Sequence, residues 1–206
     1  MLHATCEDAF VFARVLRDVF GSETIALLGY DDGDADELLR VADKNPNRAG
    51  LTRVLGDLGV TVVDAKALES MVEKGTAKAV ILLGHEMSGI DELAATLAKI
   101  EVFIHIAATR TALVQAAQVT LPGAVWVESD GTWVNVDGRA QRLLPAHPPR
   151  GDGRTHLDWL LEISGRLGTP LALPSAQTVR VEMERALEGF KGASLGDLGA
   201  TGRVLG

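Results

Sequence analysis

Cysteine occurs once in these 206 residues, as Cys6. A lone thiol cannot close an internal disulfide. Nor can it hold an iron–sulfur cluster, which takes about four ligands, mostly thiolates. Electron transfer through such a cluster would have to occur in another chain. Basic excess is also missing: 20 Lys and Arg against 28 Asp and Glu leave a formal charge of −8. Affinity for nucleic acid rests on clustered cations, and with no basic run or aromatic stacking platform that class of partner is excluded. The longest apolar runs, 79–83 and 102–108, have strand length and fall far short of the roughly 20 residues that cross a bilayer. The opening MLHATCEDAF is acidic, where a signal peptide needs a basic start and an apolar centre. We therefore expect a cytoplasmic chain, peripheral to a membrane complex at most. G-x-S-x-G, P-loop and H-E-x-x-H motifs are absent, and no G-x-G-x-x-G follows a candidate strand, which removes the common hydrolase, phosphate-loop and dinucleotide fingerprints.

What is present describes a globular chain, 47% hydrophobic and 23% charged, long enough for a proper core. Apolar residues Ala9, Phe10, Ala13, Leu16 and Phe20 fall at helical spacing over 7–20, and Gly21 stands where a C-cap belongs. An apolar run at 24–28 reads as a strand, 34–42 as a short helix, Asn45-Pro46-Asn47 as a turn and 50–58 as another helix. Three strand–helix units follow: 60–63 with 66–73, 79–83 with 90–99, and 102–107 with 111–117. Their strands are continuously apolar, as in a parallel sheet covered on both faces. The expected fold is α/β, a doubly wound, mostly parallel sheet with an appended hairpin and C-terminal helices. We divide it into an α/β lobe, residues 1–122, and a return segment, 123–206, holding the hairpin, a Pro/Gly-rich connector, helices at 155–165 and 175–188, and a Gly-rich tail expected to be extended or partly mobile.

The most specific signal lies in 119–142, VTLPGAVWVESDGTWVNVDGRAQR. On turn chemistry alone it is a β-hairpin with an Asp137-Gly138 turn. Its spacing also resembles the molybdopterin oxidoreductase family, whose pattern runs A-D-V-V-L-P, then Glu, then G-T-x-x-N-x-(E/D)-G-R-x-Q. Ala117, Val119, Leu121, Pro122, Glu128, Gly131, Thr132, Asn135, Asp137, Gly138, Arg139 and Gln141 carry the match. Pro149, Gly151, Arg154, Asp158, Trp159 and Leu167-Gly168 resemble the family's next motif. ADKNPNRAGLTRVLG at 42–56 is similar to a stretch in the family's representative within the bacterial NADH-quinone oxidoreductase, respiratory complex I. The likeness runs from about residue 7 to 199.

The resemblance carries its own expectations. Family members that bind a molybdopterin guanine dinucleotide place T-E-T-A-x-x-A-D against it. Here Thr111 is followed by Ala112 and Leu113, and Gln118 replaces the Asp, so the polar anchors are gone and loss of cofactor binding is expected. That implies a non-catalytic accessory subunit, with no catalytic or metal residues and no cofactor of its own, among partners that carry iron–sulfur clusters. The alternative it leaves open is one chain of a split enzyme sharing a molybdopterin guanine dinucleotide with another chain, through Thr111, Gln118, Glu128, Asn135 and Arg139. A weaker one is a free-standing nucleotide-binding protein. Remaining constellations read as structural. Asp32, Asp34 and Asp36 lack the Gly and Glu of a calcium loop and suit an acidic loop before a helix. His85 with Glu86 sits at a strand end, His105 inside an apolar strand as a buried, hydrogen-bonded imidazole. Arg139 is expected to clamp the hairpin by pairing with a carboxylate such as Glu128.

Overall fold

The computed structural model describes residues 3–85 and 87–206. The chain enters through helix α1 (Cys6–Phe20), which Thr5 starts: its Oγ1 accepts the Asp8 N–H at 3.0 Å while the Asp8 carboxylate accepts the Thr5 N–H at 2.9 Å. This reciprocal cap is the meaning of the Thr-x-x-Asp spacing. There follow β1 (Thr24–Ala26), α2 (Arg48–Asp57), β2 (Thr61–Val63), α3 (Ala65–Glu73), β3 (Ala79–Leu83), α4 (Ile90–Leu97), β4 (Val102–Ala107), α5 (Ala112–Ala116) and β5 (Val119–Pro122). All these strands run parallel to their neighbours. Alternate side chains serve opposite faces: Leu83 and Ile106 join the core around α1, while Leu82 and Phe103 join a second core with α3, α4 and α5. The architecture is α/β with helices on both faces.

Two expectations fail here. The layer is not one sheet: β1 pairs only with β2, and β3, β4 and β5 form a separate trio. Residues 34–42 form a loop and no helix. The Asp36 carboxylate accepts the N–H groups of Leu38, Leu39 and Arg40 at 2.9, 2.7 and 2.8 Å, a local side-chain turn that competes with helix. Leu38 and Leu39 stay 84% and 85% exposed, so no buried face favours a helix there.

The return segment builds the antiparallel hairpin β6 (Gly131–Val134) and β7 (Arg139–Leu143), then α6 (His156–Arg166), capped by Thr155, and α7 (Ala176–Ala186), capped by Ser175. The tail corrects a third expectation. β8 (Arg203–Val204) pairs with β7, and Ala193, Leu195, Leu198 and Leu205 are buried with Phe10, Leu160 and Met183 in the α1 core. Gly202 permits this approach: at φ +72°, a Cβ there would collide with the Ala140 carbonyl. Among the described residues no helix is long and apolar enough to cross a membrane.

Burial of the tail predicts that Leu195→Ala costs about 2–5 kcal/mol, whereas Leu144→Ala at an exposed site changes stability by less than about 0.5 kcal/mol. Urea denaturation checks both, and equal small effects would mean the tail does not pack.

Candidate functional site

The strongest polar constellation sits where α1, the hairpin and α7 meet. Glu7 is in the first turn of α1 and fully buried. Thr132 donates to it twice, through its N–H at 2.7 Å and its hydroxyl at 2.9 Å, and the Arg180 guanidinium donates at 3.1 Å. Arg180, 1% exposed, also bridges to Asp130 at 3.2 and 3.3 Å, and Arg142 holds the same carboxylate at 2.8 and 3.0 Å. Burial pushes the Glu7 carboxyl up from its ordinary value, against its hydrogen bonds and Arg180. Burial pushes Asp130 up too, but Arg142 and Arg180 outweigh it and hold that carboxyl low. Gly131 lets the hairpin come this close, since a Cβ would collide with the Thr5 side chain. Asn47 adds a second buried tie: its Nδ2 donates to the Ala4 carbonyl at 2.8 Å and its Oδ1 accepts the Val134 N–H at 2.7 Å. The charges of the cluster answer one another, and the cluster fastens α1, the hairpin and α7 together.

Clefts open at the C-terminal ends of the parallel strands, where open α/β sheets bind ligands. One, beyond β3 to β5, is lined by His3, Asp8, Gly84, His85, Trp126 and His156, and has only about 10 Å³ of space, about one water. There His156 Nδ1 lies 3.7 Å from the Asp8 carboxylate. Burial raises the Asp8 carboxyl, but His156 and the Thr5 amide more than compensate and hold it below its ordinary value. The larger cleft, about 460 Å³, lies beyond β1 and β2 and includes Gly29. Asp31, Asp32, Asp64, Glu69 and Glu92 face Arg48 and Lys66 across it. The N-terminus of α3 is capped by the Asp64 carboxylate, and α4 opens with Asp91 and Glu92. Carboxylates thus occupy the helix ends that would otherwise attract a phosphate.

The residues named for a guanine dinucleotide are Thr111, Gln118, Glu128, Asn135 and Arg139. None of the five lines either cleft. Gln118 Oε1 accepts the Phe103 N–H at 2.6 Å. Asn135 Oδ1 accepts the N–H groups of Asp137 and Arg139 at 3.0 and 2.9 Å, shaping its own turn. Glu128 accepts the Val125 N–H at 3.0 Å and lies 3.5 Å from His147 Nδ1. Arg139 does not pair with Glu128: its guanidinium donates to the Thr201 carbonyl at 3.4 Å, because the tail strand lies alongside. The hairpin clamp expected of Arg139 is performed by Arg180 from a helix 41 positions later, which no spacing rule links to it. Thr111 alone keeps a buried hydroxyl without a hydrogen-bond partner.

Other sequence candidates fall into place. His105 is fully buried, stacks on Phe103 at 5.8 Å and contacts the Gly84 carbonyl through Nε2 at 2.7 Å. Glu86 lies outside the described residues. Asp32 pairs with Arg48 at 3.0 Å, and among the described residues no three His, Cys, Asp or Glu come together as metal ligands. Burial pushes the Cys6 thiol well up, the direction opposite to that of an activated thiolate. Trp159 Nε1 donates to the Pro122 carbonyl at 2.7 Å, joining α6 to the Leu-Pro corner.

The family model for molybdopterin oxidoreductase matches residues 17–166, and the chain belongs to that family. It is 37% identical over 105 residues to YrhE of Bacillus subtilis, a protein named for formate dehydrogenase, covering 47% of this chain and 10% of that one. It is 27% identical over 146 residues to a component polypeptide of the Shewanella oneidensis NADH-quinone oxidoreductase, covering 71% and 14%. It is 31% identical over 134 residues to the alpha subunit of a Geobacter sulfurreducens NADPH-Fe(3+) oxidoreductase, covering 63% and 16%. The matched region is thus a small part of each of these relatives.

Two measurements test the polar cluster. Arg180→Met should cost about 3–5 kcal/mol by leaving Glu7 buried without its cation, and Glu7→Gln with Arg180→Met should regain most of it in chemical denaturation. Asp8, held low in the fold, contributes stability that is present above its unfolded value and lost as pH falls below about 3.9. The melting temperature of Asp8→Asn should therefore decline less on acidification through that range than that of the unaltered chain. Parallel curves would remove Asp8 from the acid response.

Proposed function

We propose that this chain is a non-catalytic structural part of a larger redox complex of the NADH-quinone oxidoreductase type. It keeps the family's α/β scaffold while its own cofactor site has lapsed. The observation that carries the reading is the state of the segment ahead of the Leu-Pro corner. Leu113 is fully buried in the apolar core, and Gln118 spends its carbonyl oxygen on the β4 backbone. The acidic helix ends around the larger cleft support it, since a pyrophosphate would meet carboxylates there. The relatives named as parts of oxidoreductases supply the kind of assembly, and the exposed Leu38-Leu39 tip offers a surface for a neighbour. Its partners would be the cluster-bearing and NADH-oxidising chains, with the location peripheral to a membrane on the cytoplasmic side. The buried, unpartnered Thr111 hydroxyl favours the second reading, a wall of a guanine dinucleotide site shared with another chain.

Purification of the tagged chain from its native source distinguishes the two. The expected outcome is co-purification with iron, acid-labile sulfide and NADH-oxidising polypeptides, and no stoichiometric molybdenum. Equimolar molybdenum together with pterin fluorescence would replace the first reading by the second.

A further inference from the structure

Strands β1 and β3 face each other across a groove of about 480 Å³. In the β1–β2 ladder the Glu23 carbonyl and Leu27 N–H point to β2, and in the β3–β4 ladder the Lys78 carbonyl and Gly84 N–H point to β4. Successive residues of a strand in a parallel ladder turn their backbone groups to opposite sides. Thr24 and Ala26 therefore present theirs to the groove from one wall, and Ala79 and Ile81 from the other. Among the described residues no backbone hydrogen bond joins β1 to β3, and of these groups only the Thr24 N–H has a partner, Ser22 Oγ at 3.5 Å. Phe12 and Leu16 of α1 close one face of the groove, and Leu68 and Met71 of α3 the other.

We propose that this groove is a strand-sized slot in the parallel layer. Its occupant is an apolar β-strand of about five residues from polypeptide outside these 206, running parallel to β1 and β3. The chemistry selects that occupant. Both walls carry unused amide donors and acceptors, which a lipid tail or a helix cannot satisfy and an inserted strand satisfies on both edges. Apolar side chains cover both faces, so the guest strand must be apolar throughout, as interior parallel strands are. The relatives' polypeptides are several times longer than the matched region, enough chain to supply such a strand. This inference is independent of the redox reading.

The probe is a fluorescein-labelled peptide, Lys-Lys-Val-Ile-Val-Leu-Val-Lys-Lys, with a copy of equal charge N-methylated at alternate core residues. The full chain should bind the first and protect the Ala26, Ala79 and Ile81 amides from hydrogen exchange. The methylated copy should bind at least about tenfold more weakly, the loss of one or two hydrogen bonds. Ala79→Pro, at the first position of β3, removes one groove-facing donor where proline is tolerated, and should weaken binding with little change in melting temperature. If that variant does not fold, Ala26→Pro serves, since its N–H is not used by β2. Equal binding of both peptides would mean a merely apolar pocket. A dimer with these amides already protected would make a second copy the occupant. Absence of binding and of protection would also overturn the proposal.

Discussion

A carboxylate placed in the first turn of a buried helix needs partners from the rest of the chain, and here the answer to Glu7 draws the return segment onto the α/β layer. Thr132 brings the hairpin and Arg180 brings α7. Asp130, gripped by two arginines, ties Arg180 to the hairpin as well. Such a cluster does not have to add much net stability, because desolvation offsets the attraction. Its effect is to fix one arrangement, since any slip of the hairpin would leave an unanswered charge in an apolar core.

Around that fastening the residues that mark the family turn out to be joinery. Gly131 allows hairpin and helix to touch, Asn135 folds its own turn, and Trp159 ties α6 to the Pro122 carbonyl. Asn47 links the N-terminal segment, α2 and β6 through one amide. A motif of this kind can persist after a ligand is lost, because the same side chains hold the backbone whether or not anything binds beside it. This is why membership of the molybdopterin oxidoreductase family does not by itself assign an activity to this chain.

The openings of the fold differ in charge, in size and in the backbone that borders them. The roomy cleft is acidic, the cleft rich in histidine has little more than a water's space, and the apolar opening is bordered by strand edges.

Local physics made much of this legible in the sequence. Continuous apolar runs located β3 and β4, and the helices expected at 155–165 and 175–188 are α6 and α7. These features depend on neighbours within a few residues. At 34–42 the polar spacing looked helical, but Asp36 found its own amides first. The tail looked loose because glycines dominate it, while its scattered leucines reach a core built by residues more than a hundred positions earlier. Likewise Arg139 was the visible arginine, yet Arg180 sits beside Glu7 at a separation of 173 residues. Which strand edges remain open is of the same kind. Pairing at such distances is settled by loop closure and packing of the whole chain, and no short window of sequence contains it.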